Sequence, residues 1–483
     1  MIDFREKVMG CWLGKAAGGT LGQPYEGCDG PLCLTGYDPV PEDMIPNDDL
    51  DLQVLWACIL DAMEQPCVDR DVFAAAWLKH VEFPWDEYGV AIRNLRMGIP
   101  APYSGEYDNW FKDGLGAAIR SEIWACLAPA NPALAAAYAY EDACVDHAGD
   151  GIYAAQFLAA MESAAFSEKR IGELLEVGLS VIPGDCRLAR AVRDTIRWCA
   201  ESSDWLDVRQ QILEHWGSEN FTDVVMNLPF VVMALLLGKG DFSKTVCIAA
   251  NCGRDADCTA ASAGAILGII DPTGIGQEWL KPIGRKLILN PGIRGLTHPD
   301  TLDEFTDMIV ALRKRISLRK ESTAATPDFS RYALHAQCGV FSPWFAQDDS
   351  RFQPKLPAET KTCKFAGNFG QIAADCIPTD SLYMMRFTFE LKESSQVRIM
   401  FNTPGNCRVW LDGDYLFGRE GGRMAPSFHR CPLNQYKNMQ LTAGTHELLV
   451  GIAPYGKQKV LEWVFGIGDA KTKQWLTNVK SDN

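Results

Sequence analysis

The chain of 483 residues is long enough for two or three domains, and its 47% hydrophobic and 22% charged residues are typical of globular proteins rather than disordered ones. The formal net charge of −16 argues against a nucleic-acid-binding surface, which needs clustered lysine and arginine. It is compatible with small-molecule chemistry and with cation binding.

The N-terminal residues, the apolar segments and the cysteines together predict a cytoplasmic protein without membrane contact. The start, MIDFREKVMGCWLG, lacks the basic residues and apolar run of a signal peptide. The longest apolar segment, residues 224–237, is too short for a membrane span and contains Asn227 and Pro229. Seventeen cysteines are scattered without CxxC pairs or zinc spacing, so we expect free thiols in a reducing compartment.

Residues 1–317 have the composition and periodicity of an all-α domain. Apolar residues recur every three or four positions from Leu52 to Met63, which predicts one helix that ends before Pro66. Similar patterns occur at 72–80, 117–127, 152–165, 187–200, 224–237 and 303–316. Few segments in this range have the alternation of a strand.

The pattern changes after the first domain. Residues 318–334 carry charge, Thr and Pro without an apolar period, and we interpret them as a linker. From 335 to 483 short alternating segments, among them LYMMRFTFEL, QVRIMF, CRVWL, HELLVGIA and LEWVFGI, predict a β-sandwich of jelly-roll type. The pair Asp412-Gly413 predicts a two-residue hairpin turn.

Two acidic clusters precede apolar helices. PNDDLD at 46–51 contains Asp48 and Asp49, and NCGRDADCTAASAGAILG at 251–268 contains Asp255 and Asp257. Helix capping explains one acid at each helix start but does not require all four. If the two helices pack side by side, four carboxylates converge and will partly protonate unless cations neutralise them. Oxygen ligands of this kind suit Mg²⁺ or Mn²⁺, including a two-metal site.

These clusters, together with GCWLGKAAGGTLGQPYEG at 10–27, resemble the ADP-ribosylglycohydrolase family, which includes the dinitrogenase reductase-activating glycohydrolases. The resemblance covers about residues 5–315 and does not extend to the β-sandwich. It implies an all-α bundle that holds two divalent cations, usually Mg²⁺ or Mn²⁺. It also implies cleavage of the bond that joins ADP-ribose to a protein side chain or a related acceptor.

The resemblance assigns the metal ligands. They fall on Asn47, Asp48, Asp49, Asp255, Asp257 and Cys258. Asn47 and Cys258 each replace a threonine of the family pattern. An amide oxygen is still a hard donor, whereas a thiol is a poor partner for Mg²⁺.

The resemblance also assigns substrate contacts. The loop GLGAAIR, with Gly114, Gly116, Ala117 and Arg120, would lie against the phosphates and distal ribose of the substrate. The family's histidine ahead of a small-residue helix falls on His147, which is a further substrate-binding candidate. Arg120 could instead balance a buried acid, and His147 could be a core histidine. Leu115 replaces an asparagine of this loop, and Gly19 stands where many members carry aspartate. These departures affect substrate specificity more than the fold.

The chemistry implied by the resemblance is glycosidic cleavage by water at a dinuclear Mg²⁺ or Mn²⁺ site. Glu26, in the family's G-x-P-x-E motif, would supply acid or base, and Asp49 or Asp257 would orient the water. One alternative is a non-catalytic member that uses the fold for binding or structure. Another is a hydrolase of a different nucleoside or glycoside.

The β-sandwich would bind a glycan or serve a structural role.

Overall fold

The computed structural model describes residues 3–320, 325–342, 344, 356–357, 359–477 and 479–481. The chain forms two compact units. Unit 1 comprises Met1–Glu82, Pro100–Glu106 and Phe111–Ala324, and unit 2 comprises Phe83–Ile99, Tyr107–Trp110 and Ala325–Asn483. Two short segments from within the predicted first domain, 83–99 and 107–110, therefore group with the C-terminal residues.

Unit 1 is helical, which confirms the predicted all-α domain. Numbered in chain order, its helices are α1 Phe4–Gly22, α2 Asp48–Asp61, α3 Arg70–His80, α5 Tyr103–Glu106, α6 Glu122–Leu127, α7 Pro132–Ala143, α8 Asp150–Ala165, α9 Ile171–Ser180, α10 Arg187–Glu201, α11 Trp205–Trp216, α12 Val224–Gly238, α13 Phe242–Asn251, α14 Ala256–Ile270, α15 Gln277–Ile283 and α16 Leu302–Leu312. Each helical segment predicted from the sequence overlaps one of them. A short parallel pair, β1 Cys67–Val68 with β2 Ser317–Leu318, is added.

Close packing of α1 against α14 lies at the centre of unit 1. Four glycines of α1, spaced four residues apart, face α14: Gly10, Gly14, Gly18 and Gly22. A Cβ added at Gly14 or at Gly18 would lie 2.1 Å from the carbonyl oxygen of Gly264 or of Ala260, respectively. Backbone atoms cannot rotate away, so this approach requires glycine. It brings the start of α14 against the end of α1.

Unit 2 contains helix α4, Asp86–Arg96, and antiparallel strands. The strands are β3 Leu334–Phe341, β4 Lys361–Phe365, β5 Phe369–Ala373, β6 Leu382–Leu391, β7 Ser395–Asn402, β8 Asn406–Leu411, β9 Asp414–Arg419, β10 Tyr436–Leu441, β11 Gly444–Ala453, β12 Val460–Asp469 and β13 Lys480–Ser481. One sheet has the order β10-β7-β12-β5 and the other β4-β3-β6-β11-β8-β9, with β13 paired to β6. Phe387 of the larger sheet packs against Trp463 of the smaller one, with ring centroids 5.7 Å apart. The predicted β-sandwich is confirmed.

The hairpin turn predicted at Asp412-Gly413 is present in unit 2. The residues Asp412 and Gly413 join β8 to β9 with φ values of 51° and 92°, as a two-residue turn with left-handed residues requires. The strand β3 begins at Leu334. The predicted linker contains 321–324, which lie outside the described residues.

A buried aspartate ties the segment 107–110 to the strands of unit 2. The carboxylate of Asp108 accepts hydrogen bonds from the backbone N–H groups of Asn368 and Phe369, at 2.8 and 2.9 Å. It also pairs with Arg93 of α4 at 3.0 Å. These long-range polar contacts explain why the two segments group with unit 2, and no local periodicity indicates them.

Within the described residues, no helix is both long enough and apolar enough to cross a membrane. All seventeen cysteines are free, as expected from their spacing.

Replacing Gly18 by alanine should destabilise unit 1. The added methyl group would overlap the Ala260 carbonyl and push the two helices apart, which costs about 1–3 kcal/mol or more. Gly172 in α9 is the matched control, because an added Cβ there meets nothing within 4 Å. Gly172→Ala should be neutral or stabilise by up to about 1 kcal/mol. Thermal unfolding followed by circular dichroism at 222 nm measures both, and an unchanged melting temperature in Gly18→Ala would contradict this packing.

Candidate metal centre

The starts of α2 and α14 meet through the side chain of Asn47. Its Oδ1 caps α2 by accepting a hydrogen bond from the backbone N–H of Asp49 at 2.9 Å. Its Nδ2 donates to Asp257 Oδ2 at 3.0 Å. One residue therefore links two helices whose acidic residues are about two hundred positions apart in sequence. The amide nitrogen of Asn47, not its oxygen, faces Asp257, so metal ligation by Asn47 remains a prediction.

Three of the predicted ligands form a compact group of donors. Ligand atoms of Asp49, Asp257 and Cys258 all lie within 4.8 Å of one another, and all three residues are buried. The Cys258 thiol points into this group and donates to Asp49 Oδ2 at 3.6 Å. The second oxygen of Asp257, Oδ1, is buried and has no hydrogen-bond partner. An unpaired buried carboxylate oxygen is costly, and a hard cation at this place would satisfy it.

The other predicted acids act on this group through their charge. Burial raises the pKa of Asp257 well above its ordinary value, and the charges of Glu26, Asp49 and Asp48 raise it further. Burial likewise raises the pKa of Asp255, with Asp257 and Glu26 adding to the effect. Asp255 is buried, Asp48 is half-buried and Glu26 is exposed. The acids therefore share one electrostatic environment, and Glu26 occupies its solvent side.

Helix capping accounts for only a small part of this arrangement. Asn47 caps α2, but the side chain of Asp255 makes no capping hydrogen bond to α14. Asp51, in the first turn of α2, instead accepts a hydrogen bond from the backbone N–H of Asn290 at 2.7 Å. The remaining acids at the two helix starts therefore need a reason other than capping.

A buried lysine and glutamate beside the centre were missed in the sequence. Lys15 of α1 donates to Asp49 Oδ1 at 3.2 Å and to Glu122 Oε1 at 2.8 Å. Gln53 donates to the other oxygen of Glu122, Oε2, at 2.8 Å. Burial raises the pKa of Glu122 to about 7, against the lowering effect of Lys15. The available signal was the single charge within the small-residue helix GCWLGKAAGGTLG.

The GLGAAIR segment is held in place by an internal ion-pair network. Arg120 is fully buried and donates to Asp142 at 3.0 Å, to Asp146 at 2.7 Å and to the Gly116 carbonyl at 2.6 Å. Burial alone would raise the pKa of Asp146, but Arg120 and His147 outweigh it and lower that pKa. The Arg120 guanidinium is thus occupied by acids of its own chain, which is the alternative considered from the sequence.

The same network includes His147. Its Nε2 accepts a hydrogen bond from the backbone N–H of Ala117 at 3.3 Å, and its Nδ1 lies 2.9 Å from Asp146 Oδ1. The side chain is fully buried, as are Gly114 and Gly116 nearby. The short 3₁₀ turn at Ala118–Arg120 packs against α2 and α14, which places the segment next to the acidic group. Arg120 and His147 position the segment, and their direct contact with substrate remains a prediction.

Comparison with known proteins shows the family of the chain. Residues 1–317 match the family described as ADP-ribosylglycohydrolase. The chain belongs to the ADP-ribosylglycohydrolase family. The match spans nearly all of unit 1 together with the two segments 83–99 and 107–110 of unit 2. It supports a function of the glycohydrolase type, acting on glycosyl bonds.

Two similar proteins illustrate the relationship. An uncharacterised protein of Archaeoglobus fulgidus is 28% identical over 334 residues, covering 65% of this chain and 99% of that protein. A solved structure described as an ADP-ribosylglycohydrolase-related protein complex is 19% identical, with a TM-score of 0.45, covering 65% of this chain and 98% of its own.

Without divalent ions, the chain should lose stability through Asp257 as the pH rises. The folded chain keeps a proton on this carboxyl well above the ordinary value of 3.8, whereas the unfolded chain loses it near that value. Between those two pH values the folded state binds more protons, so the free energy of unfolding falls as the pH rises. In EDTA, the melting temperature of Asp257→Asn, which cannot titrate, should fall less steeply with pH than that of the wild type.

Asp307→Asn is the control for this measurement, because Asp307 is exposed and pairs with Arg5 on the surface. The hydrogen bond with Arg5 lowers the pKa of Asp307, so this carboxyl titrates below the pH range in question. Within that range the pH profile of Asp307→Asn should match that of the wild type closely. Identical profiles for the wild type and Asp257→Asn would mean that Asp257 is ionised in the metal-free folded chain.

Proposed function

We propose that the chain hydrolyses a glycosidic bond to ADP-ribose or a related ribosylated compound, using Mg²⁺ or Mn²⁺ to activate water. The observation that carries the proposal is the unpaired, buried Oδ1 of Asp257 beside Asp49 and Cys258, in a chain of the ADP-ribosylglycohydrolase family. A buried group of acids with one oxygen left unsatisfied is the environment in which a hard cation binds.

Asp49 and Asp257 would hold the cation, and Asp48 and Asp255 would add negative charge around it. When bound, a divalent ion lowers the pKa of a ligated water and polarises the oxygen atoms that it contacts. The residues of the chain do the remaining work. Their carboxylates supply the negative charge that stabilises an oxocarbenium-like transition state. Their burial excludes bulk water, which strengthens these interactions.

Glu26 is the best candidate for acid or base chemistry. It is exposed, yet its charge raises the pKa values of the buried Asp255 and Asp257. A carboxylate at the solvent side of the centre can exchange a proton with both bulk water and a bound substrate. We assign it the transfer of a proton to or from the attacking water or the leaving group.

The GLGAAIR segment would supply the substrate contacts. With the Arg120 side chain turned inward onto Asp142 and Asp146, we assign these contacts to the backbone of Gly114 and Gly116 and to Ala117. Glycine and alanine let a phosphate or ribose approach the main chain closely.

A screen of the purified chain should detect this activity. We expect release of ADP-ribose from an ADP-ribosylated protein, or cleavage of a simple riboside, in the presence of Mg²⁺ or Mn²⁺, and its loss in EDTA. Asp257→Asn should lower the rate by about 100-fold or more, because it removes a charge that holds the cation. The surface variant Asp307→Asn should retain full activity. A folded chain that binds metal but turns over no riboside would favour the non-catalytic alternative.

Calorimetric titration with Mg²⁺ tests the donor set separately from activity. Cys258→Thr should bind most tightly, the wild type next and Asp257→Asn most weakly. A hydroxyl is a harder donor than a thiol, but a neutral oxygen only replaces water, so the gain should be about tenfold or less. Equal affinities for the wild type and Cys258→Thr would show that Sγ does not reach the ion. Equal binding by all three would place the metal elsewhere.

A further inference from the structure

Lys15 lies on α1 with its ammonium fully enclosed, and nothing above gives it a role. The side chain is 1% exposed, and Nζ lies 3.2 Å from Asp49 Oδ1 and 2.8 Å from Glu122 Oε1. A buried ammonium is costly unless it is paired, and these two carboxylates are its partners. The ammonium of Lys15 therefore places one positive charge at the edge of the acidic group.

This contact divides the two oxygens of Asp49 between different partners. Oδ1 accepts a hydrogen bond from Lys15, whereas Oδ2 accepts one from the Cys258 thiol. A second ion that used Asp49 as a ligand would need Oδ1, since the first ion takes Oδ2. A divalent ion at Oδ1 would stand next to the ammonium that shares this oxygen, and like charges repel strongly where water is excluded. Of the two Asp49 oxygens, only Oδ2 is therefore accessible to a divalent ion.

The donors that remain suit a single ion. In the part of the chain that the structure describes, Asp49, Asp257 and Cys258 are the one group of three or more carboxylate, imidazole or thiol side chains whose ligand atoms lie within 4.8 Å of one another. The unpaired Oδ1 of Asp257 belongs to this group.

We propose that Lys15 acts as a built-in cation at the acidic centre, which fixes the Asp49 carboxylate and limits the centre to one divalent ion per chain. This proposal rests on the proposed metal centre and departs from the two ions that the family resemblance implies. Lys15 is a positioning residue, since it acts on the ion through Asp49.

The number of bound Mn²⁺ ions tests the proposal without any substrate. Equilibrium dialysis of the full chain should give one Mn²⁺, and electron paramagnetic resonance should show the spectrum of an isolated ion. Two ions with an exchange-coupled spectrum would overturn the role of Lys15 and leave the metal centre intact. No bound Mn²⁺ would overturn both the metal centre and this proposal.

Removing the Lys15 ammonium should allow a second divalent ion to bind at Asp49 Oδ1. Lys15→Ala leaves space and uncompensated negative charge between Asp49 and Glu122, so the ratio should rise from one Mn²⁺ to two. Lys7→Ala is the matched control, because Lys7 is also buried on α1 but donates to a neutral group, the Ala165 carbonyl, at 3.2 Å. It should keep one ion. A folded Lys15→Ala that still binds one ion would overturn the proposal. If Lys15→Ala does not fold, the wild-type stoichiometry and spectrum decide.

Discussion

The contact between α1 and α14 is the constraint on which the candidate site depends. The carbonyl oxygens of α14 lie so close to α1 that glycine alone fits at every fourth position. This spacing fixes the end of α1, and with it Glu26, relative to the start of α14 at Asp255 and Asp257. Asn47 then joins the start of α2 to the same place. The close packing of small residues in α1 and α14 thus holds these acidic side chains near one another in spite of their mutual repulsion.

The energetic cost of the centre follows from that geometry. Carboxyl groups brought together away from water must be neutralised by a proton, by a cation of the chain or by a metal ion. Asp49 has Lys15 on one side. Asp257 has a hydrogen bond from Asn47 on one oxygen and nothing on the other. In the metal-free chain a proton neutralises Asp257, because burial and the neighbouring acids raise its pKa. A strongly raised carboxyl pKa of this kind is typical of functional sites.

Much of the fold was predictable, because it rests on local patterns. Helical periodicity located the elements of unit 1, strand alternation located β6, β7, β8, β11 and β12, and Asp412-Gly413 located a hairpin. The position of the acids ahead of apolar helices located Asp49 and Asp257. The contacts that escaped prediction are long-range pairings of buried charges. The spacing of apolar residues along the sequence does not indicate that Lys15 pairs with Glu122. It also does not indicate that Asp108 accepts a hydrogen bond from the backbone N–H of Asn368.

The same physical argument separates the buried acids at Asp257 from those around Arg120. Around Arg120, the acids Asp142 and Asp146 share a guanidinium, and their oxygens accept hydrogen bonds from Arg120 and Trp124. That network supplies its own cation and needs nothing from outside. At Asp257, burial and neighbouring charges raise the pKa, and one buried oxygen has no partner. Both groups are rich in acids and both are enclosed, so acidity and burial alone do not distinguish them. The unsatisfied oxygen of Asp257 does, and it is the reason for proposing the cation there and not beside Arg120.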